Sequence, residues 1–347
     1  MATGVRPQNE LPEQAAGCRT PGNDGEKQKV LVTGGTGYLG RASVSALSSA
    51  GYLVRVLARP TSDTLSCREQ GAEICLGDVR SLSDVRHAMQ GVHHVVHLAA
   101  GLAGTAAVMV GTSVEGTHNV ADAARSCGVQ RVVHISSFSV YDYAHLRPGD
   151  LIGEGTLLDA NPDGLGPYAK GKRIAEEIAR AQFGQPGPRW TILRPSVLVG
   201  KGRDLVGRIG KRLGPVVIAP GTRRRHLLLV HVEDAASAIV DVLQSDQTCN
   251  SIFTISSPET IVVEDYVRRC LTPSRAAIVY IPYWMALIGF APLAWITKIV
   301  GGSVNVSNSL PYLYRDVGAG ESRLSQVTRW RPTPLLDRLA DEQRGIS

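Results

Sequence analysis

The stretch Val30-Leu-Val-Thr-Gly-Gly-Thr-Gly-Tyr-Leu-Gly40 runs a buried-type apolar segment straight into a glycine-rich turn and then into a helical pattern over Arg41 to Ala50. Strand, tight turn and helix in that order bring the unpaired N–H groups of a helix N-terminus to the mouth of the turn, where an anion is stabilised. Gly34 permits the turn, Gly37 lets the backbone approach a pyrophosphate, and Gly40 allows the helix to pack close. Thr36, Tyr38 and Leu39 complete the same cradle. The stretch reads as a dinucleotide site because the strand precedes it and the helix follows.

Outward from this turn, short β-branched runs alternate with helical patterns, the rhythm of βαβ units and a parallel sheet. Strands are expected at Val30 to Thr33, Leu53 to Leu57, Ala72 to Leu76, His94 to Leu98, Arg131 to Ile135 and Thr191 to Leu193. Their near-continuous apolar character suits strands covered on both faces. The fold class is therefore α/β, a Rossmann-type doubly wound parallel sheet with a smaller C-terminal substrate lobe. Residues 29–195 form the nucleotide-binding domain, with 231–243 returning to it as a helix; 196–230 and 244–347 form the lobe. Residues 1–28, polar and rich in Gly, Pro, Asn, Gln and charge, read as a disordered tail without the apolar core of a secretory signal.

Composition narrows the partners. The 347 residues are 43% hydrophobic and 20% charged, ordinary for a globular protein. A net charge of +6 suits an anionic ligand, a membrane surface or nucleic acid, but no nucleic-acid motif accompanies it. The six cysteines are scattered without a C-x-x-C pair, so reduced thiols and a cytoplasmic location are expected.

In an NAD site an acid ends the second strand to hold the ribose hydroxyls. Here that end reads Val54-Arg-Val-Leu-Ala-Arg59, and a 2′-phosphate would meet a guanidinium instead of a repelling carboxylate. NADP is thus favoured over NAD. Further on, Tyr168-Ala-Lys-Gly-Lys172 places a phenol and an ammonium four residues apart, on one face of a helix continuing through Glu176 and Glu177. A nearby ammonium favours the phenolate and draws a Tyr pKa towards the range useful for proton transfer.

With these pieces goes the run His134-Ile-Ser-Ser-Phe-Ser-Val-Tyr141. The chain resembles the extended short-chain dehydrogenase/reductases, nearer the 3β-hydroxysteroid dehydrogenase and dihydroflavonol reductase branch. The match is carried by T-G-x-x-G-x-x-G at Thr33 to Gly40, Gly77-Asp78, His97-Leu-Ala-Ala100, Ser-Ser-x-x-Val-Tyr at Ser136 to Tyr141, Tyr-x-x-x-Lys, Arg194-Pro195 and His231-Val-Glu-Asp234. The resemblance implies that Ser137 polarises the substrate oxygen, Tyr168 exchanges its proton, and Lys172 holds the nicotinamide ribose and tunes Tyr168. It also implies that Asp78 contacts the adenine, that Val79, Leu98, Ala99, Ala100 and Pro195 line the cofactor, and that the protein is a homodimer. One departure is Ser113-Val-Glu-Gly-Thr117, where relatives commonly carry Asn at the first position.

Two enzyme readings compete. Relatives that grip a nucleotide diphosphate sugar place Asn and Arg where this chain has Val197 and Leu227, which counts against an epimerase or dehydratase. A dehydrogenase or reductase acting on a largely apolar alcohol or ketone, steroid-, isoprenoid- or flavonoid-like, is favoured instead. The apolar run 278–300, interrupted by Pro282 and Pro292, supports it as helices that line a pocket or touch a membrane surface, with a plain core as the alternative. A basic cluster precedes it: Lys201, Arg203, Arg208, Lys211, Arg212, Arg223, Arg224 and Arg225. A third reading, a non-catalytic NADP sensor, is disfavoured by the Tyr168 and Lys172 pair. His93, His94 and His97 lack the Cys or carboxylate that would complete a metal site, so no metal is expected.

Overall fold

A computed structural model describes residues 27–203, 211–213, 216–270, 277–282, 285 and 315–344. Seven parallel strands make the central sheet: β1 (Lys29–Thr33), β2 (Leu53–Ala58), β3 (Glu73–Leu76), β4 (His94–His97), β5 (Arg131–Ile135), β7 (Arg189–Pro195) and β13 (Ser251–Ile255). Their spatial order is β13-β7-β5-β4-β1-β2-β3. The order reverses between β1 and β4, and in open α/β sheets ligands bind at such a switch point, beyond the carboxyl ends of the strands.

Alternation along the strands divides the core into two layers. Val30, Val32, Val56, Val133 and Ile135 face α1 (Tyr38–Ser49) and a later helix, α6 (Val232–Gln244). Leu31, Leu57, Val95, Val132 and Ile192 face the other layer, α3 (Leu82–Met89), α4 (Ala106–Ser126) and α5 (Pro167–Arg180), with α4 and α5 packed side by side. The short α2 (Leu65–Glu69) lies between β2 and β3. His231 caps α6 by accepting from the Glu233 N–H at 3.2 Å.

Two differences from the sequence reading have physical reasons. Residues 251–255, expected in the substrate lobe, pair with β7 and complete the sheet, and Leu324 and Trp330 pack into the α1–α6 core. No local pattern ties the short run Ser-Ile-Phe-Thr-Ile to a sheet begun about 220 residues earlier; the exposed edge of β7 does. The apolar run 278–300 begins as strand, not helix: β15 (Ala277–Ile281) pairs in parallel with β10 (Val216–Pro220). Most of that run, the tail to residue 26 and Arg208 lie outside the described residues.

A smaller core supports the second lobe. Val199, Ala219, Leu229, Ile261, Tyr266 and Leu339 cluster there, away from the sheet. Between the lobe and the carboxyl end of β5, Phe138, Tyr141, Tyr143, Ile152 and Val317 form another small cluster. Among the described residues no helix is long and apolar enough to cross a membrane.

Candidate active site

The turn Gly34 to Gly37 closes through the Gly37 N–H donating to the Gly34 carbonyl at 3.0 Å, and α1 begins at Tyr38, three residues earlier than its sequence pattern suggests. Gly37 caps the helix without a side-chain hydrogen bond, and the first turn holds no acid. Gly34 has φ +74°, and a Cβ there would stand 2.8 Å from the Ala99 nitrogen. A Cβ on Gly40 would stand 2.2 Å from the Gly34 carbonyl oxygen. The turn is thus locked against the β4–α4 loop, where Leu98, Ala99 and Ala100 are half-buried, with α1 drawn tight beneath it. Uncapped N–H groups at the mouth of a glycine cradle fit the pyrophosphate of a dinucleotide.

Around this turn, Thr36 is half-buried and Leu39 buried, while the Tyr38 ring lies 4.9 Å beneath the Arg203 guanidinium. Arg59 is exposed just past the end of β2. Arg80 clasps Asp78: Oδ1 accepts from the backbone N–H at 2.9 Å and from Nε at 3.2 Å, and Oδ2 accepts from Nη2 at 2.8 Å and from Nε at 3.3 Å. These bonds, with the Arg59 charge beyond them, hold the Asp78 carboxyl below its ordinary range. Arg80 escaped the sequence reading, although its place two residues after Asp78 was the available signal. Val79 is buried against α4 at Gly116, and Pro195 closes β7 opposite Ile255.

At the carboxyl end of β5 the chain turns through Ser137, which caps a short 3-10 helix (Phe138–Val140). Its Oγ accepts from the Ser139 N–H at 3.1 Å, so the hydroxyl proton remains available to an outside acceptor. Helix α5 packs on this turn. Tyr168 stands half-buried in the first turn of α5, Lys172 is one turn on, and Glu176 one more, all along one face. Pro167, whose missing N–H costs nothing at a helix start, sets that first turn.

Lys172 is 3% exposed and its Nζ donates to the Ile135 carbonyl at 2.5 Å. Burial draws its pKa down to about 8, with the Glu176 charge opposing. Glu176 is fully buried and accepts from Ser136 Oγ at 2.5 Å and from Arg194 Nη2 at 2.5 Å. Arg194 Nη1 in turn donates to the Tyr141 hydroxyl at 3.1 Å and the Glu154 carbonyl at 3.2 Å. Burial works against the Arg194 charge, yet Glu176 and Tyr141 hold its pKa above the ordinary value. Burial also pushes the Tyr141 phenol up to about 12, leaving it a neutral donor to the Gly153 carbonyl. Glu176 escaped the sequence reading as a site residue; its signal was the spacing of four from Lys172.

The histidines serve the core. His97 lies between Thr33 Oγ1 at 2.7 Å and Thr117 Oγ1 at 3.0 Å. Thr117 donates its own proton to the Ser113 carbonyl, so the His97 Nε2–H donates to Thr117 and its Nδ1 accepts from Thr33. Burial, then the Lys172 charge, draws the His97 pKa down to about 3. His94 Nε2 pairs with Gln28 at 2.9 Å, and His93 Nδ1 accepts from the Lys29 N–H. Ser113, standing where relatives have Asn, accepts from the Gly101 N–H and donates to the Met109 carbonyl.

A parallel sheet carrying this turn, with a buried lysine one helical turn after a tyrosine, defines a nucleotide-binding protein of the extended short-chain type. The chain belongs to the NAD dependent epimerase/dehydratase family, whose model matches residues 30–256. It is 33% identical over 190 residues to cinnamoyl-CoA reductase 1 of Oryza sativa subsp. japonica, covering 51% of this chain and 55% of the relative. It is 31% identical over 189 residues to a 3-beta-hydroxysteroid dehydrogenase of Mycolicibacterium neoaurum, covering 52% and 50%. The chain thus spans about half the length of the relatives it matches. The crystal structure of gox2253 shares the fold, with a TM-score of 0.74 at 23% identity over 92% of this chain and 99% of that one.

Proposed function

We propose that the protein is an NAD(P)-dependent dehydrogenase or reductase of the extended short-chain type, preferring NADP and acting on the alcohol or ketone of a largely apolar substrate. The carrying observation is the buried Lys172 ammonium, anchored on the Ile135 carbonyl one turn beyond Tyr168, beside the turn that presents Ser137. The nicotinamide, when bound, supplies or accepts the hydride.

In the reducing direction Tyr168 gives its hydroxyl proton to the substrate oxygen, and the Ser137 hydroxyl donates to the same atom. The phenolate left behind is stabilised by two cationic influences, the Lys172 ammonium and the positive end of the α5 dipole. Lys172 has N–H groups beyond the one on Ile135, and one of them suits the nicotinamide ribose. Gly34, Thr36, Gly37, Tyr38, Leu39 and Gly40 hold the pyrophosphate, while Asp78 and Val79 face the adenine. Leu98, Ala99, Ala100 and Pro195 complete the cofactor's walls, and Arg59 receives a 2′-phosphate.

Support for an apolar substrate comes from the names of the relatives, a cinnamoyl-CoA reductase and a steroid dehydrogenase. Leu227 points the same way, packing into the lobe's apolar cluster instead of offering a cation to a nucleotide. A homodimer and contact of the 278–300 run with a membrane surface belong to the same proposal. The family's description keeps a nucleotide-sugar epimerase or dehydratase as the second reading.

The test is a panel of hydrophobic ketones and alcohols set against nucleotide sugars, with NADPH or NADP present, in wild type and Tyr168→Phe. Turnover of an apolar ketone that drops at least about 100-fold in Tyr168→Phe, with cofactor affinity kept, is expected. Conversion of a nucleotide sugar alone, or an unchanged rate in the variant, overturns the reading.

A further inference from the structure

His134 is absorbed by none of the roles above. It sits on β5 with 1% of its surface exposed, and the alternation that sends Val133 and Ile135 to the α1–α6 layer turns His134, like Val132, towards α4 and α5. Its cross-strand register partner is His97, with ring centroids 5.4 Å apart. Both nitrogens of His97 are committed to Thr33 and Thr117. Neither ring nitrogen of His134 meets a partner among the described residues.

A neutral imidazole carries one N–H donor and one lone-pair acceptor, and leaving either dry in a core forfeits its hydration without return. Buried polar atoms are nearly always satisfied, by protein or by an ordered water with two to four partners. The adjoining residue, Ile135, gives its carbonyl to Lys172 Nζ, and the Lys172 charge reaches both imidazoles. An ammonium has three donors, and this carbonyl is its one hydrogen-bond acceptor among the described residues. Ser113 does not serve it, because its hydroxyl is turned to Gly101 and Met109.

We propose that His134 is a positioning residue for Lys172, holding a buried water whose oxygen accepts from the ammonium while its hydrogen is donated to the imidazole. The charged and titratable groups acting on His134 are Lys172 from α5 and His97 from β4, and Glu176 acts on Lys172; α4 brings the Ser113 hydroxyl to Gly171 and the Thr117 hydroxyl to His97. Burial and the Lys172 charge keep His134 neutral, so it acts as a fixed acceptor and not as a proton carrier. Its catalytic meaning rests on the Tyr168 and Lys172 reading above. The water site itself does not.

Two measurements test it without a substrate. The Lys172 titration is followed by NMR of ¹³Cε-labelled lysine, with the signal assigned by its loss in Lys172→Met, in wild type, His134→Gln and His134→Phe. In His134→Phe the midpoint falls by about 1 or more, because the ammonium loses its water; in His134→Gln, which keeps a donor and an acceptor, it stays within a few tenths. An unchanged midpoint in a folded Phe variant overturns the proposal. Should that variant not fold, a crystal structure of the wild-type protein decides: a water within hydrogen-bond reach of both a His134 nitrogen and Lys172 Nζ supports it, and its absence from clear density refutes it. Neither readout depends on which substrate, if any, is turned over.

Discussion

At the residue scale, the site rests on charges placed where water cannot reach them. Glu176 and Arg194 form an ion pair with side chains 0% and 2% exposed. Breaking such a pair leaves a lone buried charge and costs about 3–5 kcal/mol, whereas replacing both partners with apolar groups of similar volume is near neutral. Glu176→Met and Arg194→Leu are each expected to lose about that much in urea unfolding, and the double variant to recover most of it. Additive losses would mean that the two charges are satisfied separately. Because Ser136 hangs on Glu176, the double variant should also slow turnover while remaining folded. Arg59 offers a second check: Arg59→Ala should weaken NADPH at least about tenfold and leave NADH within about twofold, read by nicotinamide fluorescence. Equal losses for the two cofactors would remove Arg59 from the 2′-phosphate site.

At the scale of elements, the glycine-rich turn separates packing from ligand contact. Gly40→Ala drives a Cβ against the Gly34 carbonyl and the Gly35 backbone, atoms that cannot swing aside. It should destabilise the protein by about 3 kcal/mol and abolish cofactor binding, since overpacking moves α1 off the turn. Gly37→Ala meets only the Gly34 carbonyl at 3.2 Å and has ordinary φ, so its melting temperature should change little while cofactor affinity drops. Similar melting of the two variants would contradict this division. The turn, α5 with its Tyr168 and Lys172 face, and six of the sheet's strands were legible in the sequence because each rests on local periodicity or fixed spacing. The seventh strand and the Glu176–Arg194 pair were not. Each depends on which segments the fold brings together, and no residue within a few positions announces its distant partner.

At the scale of the whole molecule, the buried histidines set a limit on acid tolerance. Burial lowers His97 to about 3 and His94 to about 4, with nearby cations adding to the effect, and His134 is depressed as well. A folded-state pKa below the unfolded value means that the unfolded chain binds the proton first, so stability is full above about pH 6.5 and lost as pH falls towards 4. His97 and His94 each cost about 2 kcal/mol at pH 5. Thermal melts should therefore drop steeply between pH 6.5 and 5, before the carboxylates titrate, and a flat profile across that interval would refute the account.

The strand Ser251–Ile255 carries one more consequence, for the order in which the protein is made. Its neighbour β7 leaves the ribosome some sixty residues earlier, with a row of backbone donors and acceptors unpaired. Until residue 255 emerges, the nascent chain presents that edge to whatever strand it meets, and synthesis at roughly 5–20 residues per second leaves it open for several seconds. Chains cut or stalled between β7 and β13 should be sticky and dependent on chaperones, while those released after residue 255 should have β7 covered by β13.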